Sequence, residues 1–198
     1  MKRFCRIVLA ALLCALLAGC AAPASGEIPE AEEKEILPEE LPLDLVFTSG
    51  AGGWGTELRL ERDGTFSGVF HDSEMGDAGE GYPNGSVYIC TFSGRFGDVT
   101  AQESGCWSMK LLKLTAVETE GDEWIRDGIR YIASYPYGLD TDGGDEFRLY
   151  PPETHTADVT ESFLSWWPGR FRPADPSGTL GCWGLRNMDR EYGFFTYE

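Results

Sequence analysis

Thr56-Glu57-Leu58-Arg59-Leu60-Glu61-Arg62-Asp63-Gly64-Thr65-Phe66-Ser67-Gly68-Val69-Phe70 contains two runs of period 2 joined through Asp63-Gly64. Leu58 and Leu60 alternate with Glu57, Arg59 and Glu61, and Phe66, Gly68 and Phe70 alternate with Thr65, Ser67 and Val69. Such alternation sends one set of side chains to a core and the other to water. Asp-Gly tolerates the positive φ values that a tight hairpin turn requires, so the stretch reads as a β-hairpin.

The same signals recur outward from this hairpin. Pro83-Asn84-Gly85 opens a long run from Ser86 to Phe96, and Trp107 to Leu114 follows a glycine-containing loop. Asp127-Gly128 turns a further hairpin between Trp124 to Arg126 and Ile129 to Ala133, while Glu146 to Tyr150, Leu180 to Arg186 and Gly193 to Tyr197 supply more strands. One segment, 158–167, reads as a short helix: Asp158 can cap it with Glu161 as capping-box partner, and Pro168-Gly169 ends it. Val159, Phe163, Trp166 and Trp167 then share a face. The expectation is an all-β, mainly antiparallel domain, a barrel or a sandwich, with that single helix.

Gly50-Ala51-Gly52-Gly53-Trp54-Gly55 matches G-x-G-x-x-G, but a dinucleotide site needs a helix to start there, and Thr56 to Glu61 alternates like a strand. The glycines read as a tight loop.

The N-terminus is of another kind. Lys2, Arg3 and Arg6 precede an apolar run from Ile7 to Ala18, shorter than the roughly 20 apolar residues of a bilayer-spanning helix. That is the charged and then apolar pattern of a signal peptide, expected over 1–19. Leu17-Ala18-Gly19-Cys20 resembles the lipobox of bacterial lipoproteins. The resemblance implies cleavage before Cys20, a diacylglyceryl group on its sulfur with palmitate-type chains, and anchoring to the cell membrane. Residues 20–42, rich in Pro, Glu and Ala and without aromatic residues, read as a tether. Residues 43–198 are then a single β-rich domain.

The chain holds 33 acidic and 16 basic residues, a formal charge of −17. All the acidic residues follow Gly19, whereas Lys2, Arg3 and Arg6 precede it, so cleavage would leave 13 basic against 33 acidic residues, or −20. This balance argues against nucleic acid as a partner, because phosphate recognition relies on Lys and Arg. It also keeps an exported protein soluble.

Two acidic loops invite a chemical reading. His71-Asp72-Ser73-Glu74-Met75-Gly76-Asp77-Ala78-Gly79-Glu80 offers a His-Asp pair for acid/base work and oxygen ligands for Ca²⁺, and equally reads as a solvated loop. Asp140, Asp142 and Asp145 are candidate calcium ligands, but Asp145 holds the position of the invariant glycine of a calcium loop and Pro151 that of its bidentate glutamate. A polar turn is the alternative. Trp54, Tyr82, Trp124, Tyr135 and Tyr137 lie in or near Gly- and Pro-rich loops, where rings can stack on ligands or fill a core.

With Cys20 lipidated, Cys90, Cys106 and Cys182 remain. Cys90 shares strand parity with Tyr88, Phe92 and Phe96, which places it in the core. Cys106 and Cys182 each precede a tryptophan. If Trp107 and Trp183 point inward both thiols point outward, so any disulfide is expected between Cys106 and Cys182, with three free thiols as the alternative.

The segment from Gly50 to Phe96, with W-G-T-E-L, D-G-T-F-S-G and G-Y-P-N-G-S-V-Y, resembles uncharacterised lipoproteins of Gram-positive gut bacteria. That resemblance implies no activity. The expectation is a membrane-anchored extracytoplasmic lipoprotein that binds a glycan, peptide or small molecule through Trp54, His71, Asp72, Tyr82, Tyr135 and Tyr137. A structural or interaction lipoprotein is the alternative, and a hydrolase using His71 and nearby carboxylates a less favoured one. No cofactor is expected apart from a Ca²⁺ candidate at 140–145. The partners expected are the membrane through Cys20 and an extracytoplasmic ligand or protein.

Overall fold

The computed structural model describes residues 37–171 and 177–197. The expected signal peptide, Cys20 and most of the expected tether lie outside the described residues. Leu37 and Leu41, at the tether's expected end, are instead buried with the core, so the packed domain takes in at least six residues ahead of Leu43.

Ten strands follow. They are β1 (Leu43–Phe47), β2 (Trp54–Leu60), β3 (Thr65–Glu74), β4 (Ser86–Ala101), β5 (Trp107–Ala116), β6 (Glu123–Arg126), β7 (Ile129–Ala133), β8 (Glu146–Tyr150), β9 (Gly184–Asn187) and β10 (Gly193–Phe195). The order β3-β2-β1-β10-β9-β8-β5-β4, with β4 pairing back onto β3, closes an eight-stranded antiparallel barrel. Strands β7 and β6 extend from β4 outside the closure. A barrel leaves no unpaired edge among its own strands.

The Asp63-Gly64 hairpin joins β2 to β3 as the alternation requires, with Leu58 opposite Gly68 and Leu60 opposite Phe66. Asp127 and Gly128 both take positive φ, 54° and 77°, the geometry of a type I′ turn between β6 and β7. Leu43, Leu45 and Phe47 of β1, Leu58 and Leu60 of β2, Phe66 and Phe70 of β3, and Phe92 and Phe96 of β4 all point into the barrel and are buried.

Glycines shape the wall at β3 and β4. Phe66 pairs with Gly94 and Gly68 with Phe92. A Cβ on Gly68 would strike the Glu57 carbonyl and the Phe92 ring, and one on Gly94 would strike the Lys113 carbonyl and the Phe66 ring. Each ring covers the backbone that its opposite glycine leaves bare.

β4, at 16 residues, is longer than the other strands. One edge carries β3 from Ser86 to Arg95, and the other is shared in sequence by β7, parallel along Ser86–Ile89, and β5, antiparallel along Phe92–Ala101. Register shifts near Arg95 and Gly97, with Asp98 at φ 49°, mark bulges that bend β4 into the barrel. The start of β4, Ser86–Ile89, therefore carries β7 in place of β5 and forms a platform beside the closed wall.

The expected helix is shorter and capped elsewhere. Val159 is extended, and α1 spans Glu161–Leu164 with Thr160 as its cap, its hydroxyl accepting from the Phe163 N–H at 3.3 Å. Asp158 instead ends a 3₁₀ turn. The apolar face holds: Phe163 is fully buried against Tyr150 and Phe195 on the outside of the barrel, and Val159, Trp166 and Trp167 pack around it. β9 covers only the second half of the strand expected over 180–186, because Leu180 and Cys182 belong to this outer cluster.

Candidate functional site

At one end of the barrel, β1 ends at Phe47, β2 begins at Trp54, and β3 and β4 overrun the closure. Register sets what this mouth displays. Trp54 pairs with Asp72, Asp72 with Tyr88, and Tyr88 with Ile132, so the four side chains form one rung across β2, β3, β4 and β7. Phe70 lies one rung deeper, on the same inward face. The connection after β7 crosses over this rung. The Ser134 N–H donates to the Ile89 carbonyl, and Tyr135 and Tyr137 come down onto Phe70, with ring centroids 6.5 Å and 5.7 Å from it. Glu120 and Gly121 close the remaining side, held by the Gly121 N–H donating to the Ala133 carbonyl.

A cavity of about 610 Å³ results, its aromatic walls supplied by Trp54, Phe70, Tyr88, Tyr135 and Tyr137 and its charged groups by Asp72 and Glu120. Volume and lining are those of sites that enclose small molecules. Tyr88 and Tyr135 are partly exposed at 39% and 43%, so they form the rim.

The crossing segment is held by buried polar groups. The Thr56 hydroxyl donates to the Tyr137 carbonyl at 2.6 Å. Asn187, fully buried at the end of β9, donates to the carbonyls of Gly138 and Asp140 and accepts from the N–H groups of Asp189 and Arg190. Gly138 has φ 96°, and a Cβ there would lie 2.6 Å from Phe47 and 2.7 Å from Phe194. Burial raises the Tyr137 phenol well above its ordinary value, helped by its hydrogen bond with Tyr192. Burial and then Asp140 raise Tyr135 as well. Both rings are thus neutral at the site.

Of the residues singled out in the sequence, Trp54, Asp72, Tyr135 and Tyr137 converge on the cavity, and His71 and Tyr82 do not. His71 and Asp72 are neighbours on an unbroken strand and leave opposite faces of it. Asp72 faces the cavity, while His71 stands beside Gly55 on the outside. The hydrolase alternative thereby loses its His-Asp pair. Tyr82 lies beyond the rung, stacked under Arg130 at 4.8 Å. Phe70, Tyr88, Ile132 and Glu120 were not foreseen as site residues. Strand parity could have offered Tyr88, but placing Glu120 requires the fold.

The calcium candidates are dispersed among partners. Asp140 accepts from the Gly138 N–H and faces Arg190, Asp142 faces the same arginine at 3.8 Å, and Asp145 faces Lys110 at 3.9 Å. No group of three metal-ligating side chains converges among the described residues.

Cys106 carries a free thiol, 3.3 Å from the Ser104 hydroxyl, so the expected bond to Cys182 is not formed. The two cysteines nevertheless share the outer cluster, and Trp107 and Trp183 pack inward, 6.0 Å apart. Both cysteines thus lie in the cluster outside the barrel while the tryptophans pack inward, and Cys106 is buried there. Cys90 is in the core, its thiol pushed up to about 11 by burial and then by Glu118 and Glu120. Compared with protein-family models, curated proteins and solved structures, the chain matches none.

Proposed function

We propose that the protein is an extracytoplasmic lipoprotein, anchored through lipid on Cys20, whose barrel mouth binds a small ligand. The observation that carries the binding reading is the cavity itself, in which Trp54 of β2, Asp72 of β3, and Tyr135 and Tyr137 of the connection after β7 come together. Aromatic rings on rigid strands give stacking surfaces, and two carboxylates give orientation. The lipobox supports the anchoring reading.

Thermal shift of the full chain in detergent, against panels of glycans, peptides and small amines, tests the binding. A ligand at 100 times its dissociation constant stabilises by about 2.7 kcal/mol. The parent should respond and Trp54→Ala should not. Uniform silence across the panels would leave the structural or interaction reading. Anchoring is tested by labelled palmitate: Cys20→Ser should lose the label and leave the membrane fraction, and a variant that keeps both would refute it.

A further inference from the structure

We propose that the ligand of the barrel-mouth cavity is an organic ammonium cation. The inference rests on the reading of this cavity as a ligand site and names the ligand's chemistry.

Three observations converge on charge. Five aromatic residues line the cavity, and the negative face of a π-system attracts a cation placed over it. Its two ionisable carboxylates, Asp72 and Glu120, have no side-chain hydrogen bond and no ion pair among the described residues, while no lysine, arginine or histidine lines the cavity. Arg130 and Arg190 are already committed elsewhere. Arg130 pairs with Asp77 and donates to the Ser86 hydroxyl, and Arg190 lies between Asp140 and Asp142.

The alternatives fit this lining less well. An anion would meet two carboxylates and no cationic donor. A neutral sugar could stack, but it would draw nothing from the charge of the two carboxylates. An ammonium group draws on that charge and takes up the ring faces at the same time. The surplus of acidic residues over the whole chain favours the approach of such a ligand.

The test is titration of the full chain in detergent, followed by tryptophan fluorescence and calorimetry, with choline, butylammonium and spermidine. Their neutral counterparts are 3,3-dimethylbutan-1-ol, the carbon isostere of choline, and butanol, and glucose and N-acetylglucosamine represent neutral sugars. At least one ammonium probe should bind about tenfold or more tighter than its neutral counterpart. Asp72→Asn and Glu120→Gln should each weaken that binding about fivefold or more, with neutral probes unaffected. Glu120 is exposed on a loop, so its variant keeps the test valid if Asp72→Asn fails to fold. Neutral probes binding as well as the ammonium ones, or Glu120→Gln leaving ammonium affinity unchanged, would overturn the cation assignment and leave the ligand site standing. No binding by any probe, sugars included, would overturn both.

Discussion

Trp54 and Asp72 stand directly opposite each other on β2 and β3, so an indole and a carboxylate leave the same face of the sheet at the barrel mouth. The indole has two roles. It packs edge-on against Phe47 at 5.0 Å and Tyr137 at 5.2 Å, and it walls the cavity. Trp54→Ala is expected to lower stability by about 2–4 kcal/mol, toward the lower end for large-to-small changes because the site is half open. Trp54→Phe should recover most of that loss. Urea midpoints check both, and equal stability of Ala and Phe variants would show that the ring does not brace the mouth.

Gly68 is required by space rather than by backbone conformation. The Phe92 ring and the Glu57 carbonyl occupy the position of its missing Cβ. Gly68→Ala should destabilise by about 1–3 kcal/mol through overpacking. Gly53 has nothing within 4 Å of an added Cβ, so Gly53→Ala should be close to neutral. A Gly68→Ala protein as stable as the Gly53→Ala control would contradict this packing.

Asn187 ties two loops together with four hydrogen bonds from a fully buried amide. Its replacement by alanine leaves two buried carbonyls and two N–H groups without that partner, an expected loss of about 2–4 kcal/mol. Asn187→Asp should be at least as damaging, because an acceptor oxygen would then face the Gly138 and Asp140 carbonyls. The crossing segment should loosen in both variants, read as faster amide exchange at Gly138 and Leu139. Unchanged exchange there would show that the segment is held by other contacts.

Glu191 sets an acid-sensitive contact on the outside of the barrel. Burial pushes its carboxyl up, but hydrogen bonds from Arg186 and Thr160 and the charge of Arg186 outweigh this, so it titrates below its ordinary value of 4.5. A carboxyl lowered in the folded state contributes stability above its unfolded pKa, and that contribution is lost as pH falls through the folded value. Glu191→Gln should therefore flatten the decline of the urea midpoint between about pH 5 and pH 3. An acid limb that superimposes on the parent's would show that the pair adds nothing.

The hairpin around Asp63-Gly64, the turn at Asp127-Gly128 and the inward set of Leu58, Leu60, Phe66 and Phe70 were legible in the residues alone. Each depends on a period of two or on the φ tolerance of one turn residue, both local properties. Even the outward parity of Cys106 could be read in this way. Asp158 and Thr160 are both good caps by residue type, and the choice falls to where Val159 extends and Phe163 finds Phe195. The cavity was half legible. Aromatic residues in loops point to Trp54, Tyr135 and Tyr137, whereas adjacency in sequence suggests a His71-Asp72 pair that strand parity separates.

The sequence by itself determined that this chain is mainly antiparallel β, where its tight turns lie and which face of each strand is apolar, because side-chain alternation and glycine φ are written residue by residue. Only the tertiary structure decided that β4 closes back on β3, that its start carries β7 in place of β5, and that Asp72 and Glu120 meet five rings at the mouth. Those outcomes depend on pairings and crossings between segments, such as β1 with β10 and β4 with β7, that no single strand's residues encode. A shift of one residue in a strand would have turned its share of Trp54, Phe70, Asp72 and Tyr88 to the other face.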